Sequence, residues 1–246
     1  MKAIMLCAGR GIRLRDLTGG KDPKCLVKID GRSIMEWQID AMSKAGIDEM
    51  TIVTGFKAEK IRDHLAGDKR VSYINNDEYA TTNILTSFWL ALKEYNGDED
   101  LVVMAGDVVF DPEILKKMAS YENVDILVAT DSRKIDPEAV KVTIEGEKVA
   151  RFGKDMAIEN AHGQFLGLMK VSAETINEMR ELVRRMVLSD GCGNGYLFDM
   201  LNIMINEYAK KIGHFDIGGH FWEEIDFKED WERANNVLRG RGICRT

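Results

Sequence analysis

Short apolar runs alternate along the chain with stretches whose apolar positions recur every three or four residues. That is the pattern of strands and helices laid down in turn, and it predicts a layered α/β sheet. Residues 2–6 read as a buried first strand that runs straight into Ala8-Gly9-Arg10-Gly11. Ser33 and Glu36 stand at capping-box spacing, and Ile34, Trp37, Ala41 and Ala45 follow at helical spacing until Gly46. A strand at 50–54, a helix at 58–65 and a strand at 71–75 come next. A polar loop at 76–82 leads into a helix near 83–95. Residues 101–105 are continuously apolar, the mark of a central strand, and end at Gly106-Asp107.

The second half changes character. Strands are predicted at 125–130 and 140–144, and Glu145-Gly146 turns the latter into a hairpin partner at 148–152. A strand at 165–171 precedes a helix at 173–187. The cluster Gly191-Cys192-Gly193-Asn194-Gly195 then separates it from a helix at 196–209. Strands at 215–217 and 222–226 and a helix near 228–238 close the chain. There is no internal repeat, low-complexity stretch or linker. The prediction is therefore a single domain, 1–246, with a small β-rich insertion in its second half.

Composition narrows the classes. Thirty-four basic residues against 41 acidic give a net charge of −7, which argues against a nucleic-acid partner that needs a basic face. No apolar run approaches the ~18 residues of a membrane span. The start, Met1-Lys2-Ala3-Ile4-Met5-Leu6, is too short for a signal-peptide core, so a cytoplasmic protein without membrane contact is expected. Cys7, Cys25, Cys192 and Cys244 are scattered without Cys-x-x-Cys spacing, which suggests neither zinc nor a disulfide framework. Oligomeric state is not written in the pattern; a homodimer is the default.

Candidate chemistry begins at the glycines. Gly9 and Gly11 follow a strand, where the backbone can turn tightly and approach a phosphate. A dinucleotide fingerprint needs a third glycine where this chain has Leu14, and an acidic residue closing the second strand, where it has Thr54-Gly55. A P-loop fails because no Gly-Lys-Ser/Thr follows. Instead Arg10, Arg13, Arg15, Lys21 and Lys24 place five cations within 15 residues of an otherwise acidic protein. A solvated basic loop is one reading. A cradle in which backbone N–H groups and fixed cations neutralise a triphosphate is the other. Asp107 ends an apolar strand, where α/β sheets present ligands, although a plain Gly-Asp turn reads equally well on its own. In Trp222-Glu223-Glu224-Ile225-Asp226, alternation would put Trp222, Glu224 and Asp226 on one face.

Leu6-Cys7-Ala8-Gly9-Arg10-Gly11-Ile12-Arg13-Leu14, followed by Pro23-Lys24-Cys25-Leu26, resembles the L-x-A-G-x-G-[S/T]-R-L … P-K-x-L signature of nucleotidyltransferases that activate phosphorylated small molecules. Among these the chain is most similar to the CTP:phosphocholine and phosphonate cytidylyltransferase group. Cys7 replaces the usual small Ala, and Ile12 stands where Ser or Thr is usual. The resemblance implies a Rossmann-like mixed β-sheet sandwiched by helices (GT-A-like), with residues 1–110 as the nucleotide half and 111–246 as the acceptor half. It implies Mg²⁺-dependent joining of CMP from CTP to a small phosphate- or phosphonate-bearing acceptor, with release of pyrophosphate. Lys24 would hold the α-phosphate and the acceptor together, Arg13 the β,γ end, and Asp107 and Asp226 the metal. Leu6, Ala8, Gly9, Gly11, Asn83, Ser87 and Gly106 would contact the nucleotide, although Asn83 also suits a helix N-cap. Lys154, Gln164, Trp222 and Glu224 would face the acceptor. Glu223, Glu224, Asp216 and Trp222 would make an acidic, aromatic box for a cationic head group. Sugar-1-phosphate uridylyl transfer, and a non-catalytic nucleotide-sensing subunit of the same fold, are the alternatives.

Overall fold

The first strand, β1 (Lys2–Cys7), sends alternate side chains into two cores. Ala3, Met5 and Cys7 join one apolar cluster and Ile4 and Leu6 the other, so both faces of the strand are covered. The computed structural model describes residues 1–133, 135–189 and 195–240. Of the predicted glycine cluster only Gly195 falls within them; residues 191–194 lie outside.

A two-residue hairpin, β2 (Lys28–Ile29) and β3 (Arg32–Ser33), follows the short helix α1 (Arg15–Thr18). Helix α2 (Ile34–Lys44) then leads to β4 (Met50–Thr54), α3 (Ala58–His64), β5 (Val71–Asn75), α4 (Ile84–Glu94) and β6 (Leu101–Ala105). Next come β7 (Val108–Phe110), α5 (Pro112–Ala119), β8 (Ile126–Asp131), β9 (Lys141–Glu145), β10 (Lys148–Gly153) and β11 (Gly163–Val171). The chain closes with α6 (Ala173–Leu188), α7 (Leu197–Asn206), β12 (Ile212–Asp216), β13 (Trp222–Glu224) and α8 (Lys228–Gly240).

Nine strands form one mixed sheet in the order β5-β4-β1-β6-β11-β8-β12-β10-β9, in which β11 also pairs with β9. The first four are mutually parallel and β11 is antiparallel to β6 and β8. Apolar side chains of α2, α3 and α5 cover one face, and those of α4, α6 and α7 the other. This is the predicted sandwich. The chain leaves β1 toward β4 and β5 and returns on the opposite side of β1 as β6. That reversal opens a crevice at the carboxyl ends of β1 and β6, where such sheets bind ligands. Cys7 and Asp107 stand at those two ends. No helix among the described residues is long and apolar enough to cross a membrane.

The capping box forms as its spacing predicts. Ser33 Oγ accepts from Glu36 N–H at 3.1 Å, and Glu36 accepts from Ser33 N–H at 2.6 Å. Ser33→Ala removes the first bond and is expected to cost about 1 kcal/mol, read in urea melts.

Five elements escape the periodicity: α1, β2, β3, β7 and α5. β7 has only three residues, too few to show a period, and it pairs antiparallel with β13. α5 had a readable signal: Asp111 caps it by accepting from Glu113 N–H, and Pro112 opens it. The strand predicted at 222–226 stops at Glu224: one more bond follows in register, from Ile225 N–H to the Asp107 carbonyl at 2.9 Å, before Asp226 and Phe227 N–H turn to the Asp230 carboxylate.

Candidate active site

Three loops converge on the crevice. The first follows β1. Gly11 takes a left-handed conformation (φ +55°) and opens a short 3-10 turn, Ile12–Leu14, anchored by buried Leu14. A side chain at Gly11 would be strained there, and its Cβ would lie 3.0 Å from Lys24 Cβ. The glycine therefore lets the turn pack directly on the segment that carries Lys24.

The second loop follows β6. Gly106 N–H donates to the Leu6 carbonyl at 3.0 Å, holding the end of β6 against β1. A Cβ at Gly106 would collide with Cys7 Sγ and come within 2.9 Å of the Leu6 carbonyl oxygen. Gly106→Ala is therefore expected to lower the thermal midpoint by several degrees and to weaken nucleotide binding, as measured by calorimetry. The third loop joins β13 to α8. There Asp230 accepts from both Asp226 N–H (2.9 Å) and Phe227 N–H (2.7 Å), which fixes the start of α8 and the position of Asp226.

The loops bring together an acid–base corner. Lys24 Nζ donates to Asp107 Oδ2 and to Asp226 Oδ1, both at 2.6 Å. Arg13 reaches Asp226 Oδ2 at 3.3 Å while its guanidinium lies 5.3 Å from the Phe227 ring centroid. Glu224 completes the group: Asp107, Glu224 and Asp226 each offer a carboxylate oxygen, all within 4.8 Å of one another. Burial works against the charge on Lys24, but the two aspartates outweigh it and hold the ammonium above its ordinary range. Burial likewise opposes the charge on Asp226, and Lys24 and Arg13 overcome it, so the carboxyl stays below its ordinary range. Glu224 is pushed up to about 7 by desolvation of its carboxyl in the crowded corner and by the charges of Asp107 and Asp226.

A cleft of about 260 Å³ opens beside this corner, lined by Leu6, Ala8, Gly9, Asn83, Ser87 and Gly106 together with Lys24 and Asp107. Six residues predicted from sequence to touch nucleotide thus share one cavity with the lysine and the aspartate. Ser87 is buried in its wall, its Oγ accepting from Asn76 Nδ2 at 3.0 Å. Asn83 occupies the N-cap position of α4 and also lines the cleft. A second hollow, about 420 Å³ and lined by Arg10, Ile12, Arg15 and Phe56, lies on the other side of the glycine turn. Ile12 is 55% exposed there.

The acceptor-side residues assemble only in part. Lys154 Nζ lies 5.6 Å from the Tyr196 ring centroid, and its charge is felt by Glu224 and Asp226. Its backbone is held by buried Lys141, whose amine donates to the Lys154 carbonyl at 3.0 Å and to that of Pro137 at 2.6 Å. Gln164 is buried and accepts from Asp136 N–H at 2.8 Å, so it fixes a loop. Trp222 is half-buried, with its indole donating to Asp131 at 2.8 Å. The acidic, aromatic box does not form as expected. Alternation along β13 sends Glu223 away to Arg233 at 2.7 Å, and Asp216 accepts from Gly218 N–H. Only Trp222 and Glu224 remain of it. None of the four histidines enters the corner: His64 meets Ser33, His162 accepts from Ile144 N–H, His214 lies by Thr130 and His220 by Lys117 and Asp111.

Sequence reasoning placed Glu224 with the acceptor rather than among the clustered carboxylates, although its spacing to Asp226 was the available signal. Asn76 and Tyr79, which stand in the same N-D-x-Y … N … S stretch as Asn83 and Ser87, also line the cleft.

Comparison with known proteins agrees with this geometry. A profile of the MobA-like NTP transferase domain matches residues 3–188. The chain is 30% identical to the CTP:phosphoglutamine cytidylyltransferase of Campylobacter jejuni, with 94% of this chain and 98% of that protein covered. It is 27% identical to the CMP-5'-(3-aminopropyl)phosphonate synthase of Streptomyces rubellomurinus over 93% of this chain, but spans only 36% of that longer protein. The solved CTP:phosphocholine cytidylyltransferase of Streptococcus pneumoniae superposes with a TM-score of 0.76 at 23% identity, covering 96% of this chain and 98% of that one. The chain belongs to the family of MobA-like NTP transferase domains and is a nucleotidyltransferase.

Proposed function

We propose that the protein transfers CMP from CTP to a small acceptor bearing a phosphate or phosphonate, releasing pyrophosphate. The observation that carries this reading is the Lys24 ammonium bonded to both Asp107 and Asp226 at the mouth of a nucleoside-sized cleft. An acceptor oxygen attacks the α-phosphorus, a new P–O bond forms, and the bond to the oxygen bridging the α- and β-phosphorus breaks. An acceptor phosphate is already ionised near neutral pH, so no dedicated general base is required. The absence of histidine from the corner is consistent with that.

Each residue then has a defined task. Backbone groups of Leu6 and Ala8, with Asn83 and Ser87, receive the cytosine; Gly9 and Gly11 admit the phosphates close to the backbone. Lys24 holds the α-phosphate and the acceptor oxygen together, and Arg13 takes the β,γ end. Lys154 faces the acceptor's anionic group from the β10 side. Residues 1–110 thus serve the nucleotide and 111–246 mainly the acceptor.

The carboxylate group fits Mg²⁺. Its donors are all oxygen, they are closely spaced, and Asp107 Oδ1 is buried without a hydrogen-bond partner. Asp107 and Asp226 would hold the ion, with Glu224 beside them. When bound, the ion supplies charge neutralisation on the phosphates and the departing pyrophosphate.

The reading is tested by pyrophosphate release with CTP, UTP, ATP and GTP against phosphocholine, aminoalkylphosphonate, phosphorylated amide, inositol phosphate and sugar phosphate acceptors. CTP with one of the non-sugar acceptors is expected to dominate. Preference for UTP with a sugar phosphate would overturn the base and acceptor assignment. Release from no pair, with nucleotide binding intact, would overturn the catalytic assignment.

A further inference from the structure

The Lys24 ammonium is bonded at 2.6 Å to one oxygen of Asp107 and at 2.6 Å to one oxygen of Asp226. Those are the two carboxylates that the reading above gives to the metal, and the present inference rests on that reading. A divalent cation and a bridging ammonium compete for the same small set of oxygens. The remaining oxygens make a poorer set: Asp226 Oδ2 is engaged by Arg13, which leaves Asp107 Oδ1 and the Glu224 carboxylate.

We propose that Lys24 acts as a tethered counter-ion that keeps the divalent cation from binding tightly until a nucleoside triphosphate arrives to draw the ammonium away. The Lys24 side chain is only 13% exposed. Pulling it from both carboxylates without a replacement anion would strand a largely buried cation, which is costly. Phosphate oxygens laid against the glycine turn provide that replacement, since Gly11 packs directly on Lys24. Arg13 is the weaker competitor: it is 56% exposed and meets Asp226 at 3.3 Å, a geometry that solvent screens. Metal and triphosphate therefore bind with positive coupling. By linkage, the factor by which one raises the affinity of the other is the same in both directions. The lysine thus orders the assembly of the site before it takes part in transfer.

The test is direct titration of Mn²⁺ into the full chain without nucleotide, following loss of the free-ion electron paramagnetic resonance signal. Lys24→Met and Lys24→Gln are expected to bind Mn²⁺ about tenfold or more tightly than the wild type, and Lys24→Arg, which keeps the charge, to bind as weakly as the wild type. Two uncharged variants are used so that misfolding of one, seen by circular dichroism, leaves the other. If neither binds Mn²⁺ more tightly than the wild type, the tethered counter-ion is wrong. A parallel titration with α,β-methylene-CTP, corrected for the Mn²⁺ that the analogue binds without protein, separates this failure from that of the metal assignment. Mn²⁺ uptake there that is lost in Asp107→Asn keeps the metal reading while the counter-ion falls. Uptake unaffected by Asp107→Asn with and without the analogue overturns both.

Discussion

Asp107→Asn is expected to lower kcat by about a thousandfold or more, because losing one ligand of the proposed metal would remove several kcal/mol of charge stabilisation from the transition state. The fold should survive. Asp107 follows β6 in a turn whose backbone bonds, Gly106 N–H to the Leu6 carbonyl and Ile225 N–H to the Asp107 carbonyl, do not involve its side chain. The substitution also relieves crowding with Glu224 and Asp226, which offsets the weakened bond to Lys24. An unchanged circular dichroism spectrum and thermal midpoint, together with the loss of turnover, is the expected pair of results. Turnover within tenfold of the wild type would contradict the role given to Asp107.

Lys24→Met is expected to cost about 10²- to 10³-fold in kcat/KM, the range seen when one preorganised donor to developing charge is removed. Its distinguishing feature is direction. The same variant should lose turnover and gain affinity for Mn²⁺ in the absence of nucleotide, since the ammonium serves the phosphates in one setting and occupies the carboxylates in the other. A purely structural lysine would lose stability and metal binding together. Lys24→Arg keeps a cation between the two carboxylates, but its planar fork does not present the compact, mobile ammonium that follows a phosphate, so recovery of activity should be slight. Steady-state kinetics on Lys24→Met and Lys24→Arg, with acceptor varied at saturating metal and nucleotide, check the loss and the slight recovery.

Much of the fold follows from alternation and helical spacing. Strand β6 begins and ends where its apolar run does, because a strand buried on both faces carries no polar interruption, whereas β5 at the sheet's edge alternates, with Ser72 and Asn75 exposed. The capping box at Ser33 and Glu36 is local chemistry and forms where the residues stand. What was not legible depends on pairings far apart in the chain. β7 exists because β13 pairs with it, and β13 stops early because the Asp226 and Phe227 N–H groups turn to the Asp230 carboxylate. The extent of β12 was hidden by Gly213 and His214, which break its apolar run.

The nucleotide side of the site was more legible than the acceptor side for the same reason. Gly9, Gly11, Arg13 and Lys24 lie in one short segment whose turn chemistry fixes their neighbours. The acceptor side is assembled from β10, the start of α7 and β13, and which face each side chain takes is settled by tertiary contacts. Gln164 went to Asp136, Trp222 to Asp131 and Glu223 to Arg233. Glu224 turned instead toward the aspartates.

The position of the transferred phosphorus decides between nucleotidyl transfer and any other use of this corner. Incubating the protein with acceptor and either α-labelled or γ-labelled CTP, then separating the products, reads it directly. Nucleotidyl transfer puts the α label in the acceptor adduct and the γ label in pyrophosphate. Transfer of the γ label to the acceptor, or its release as orthophosphate, would contradict it.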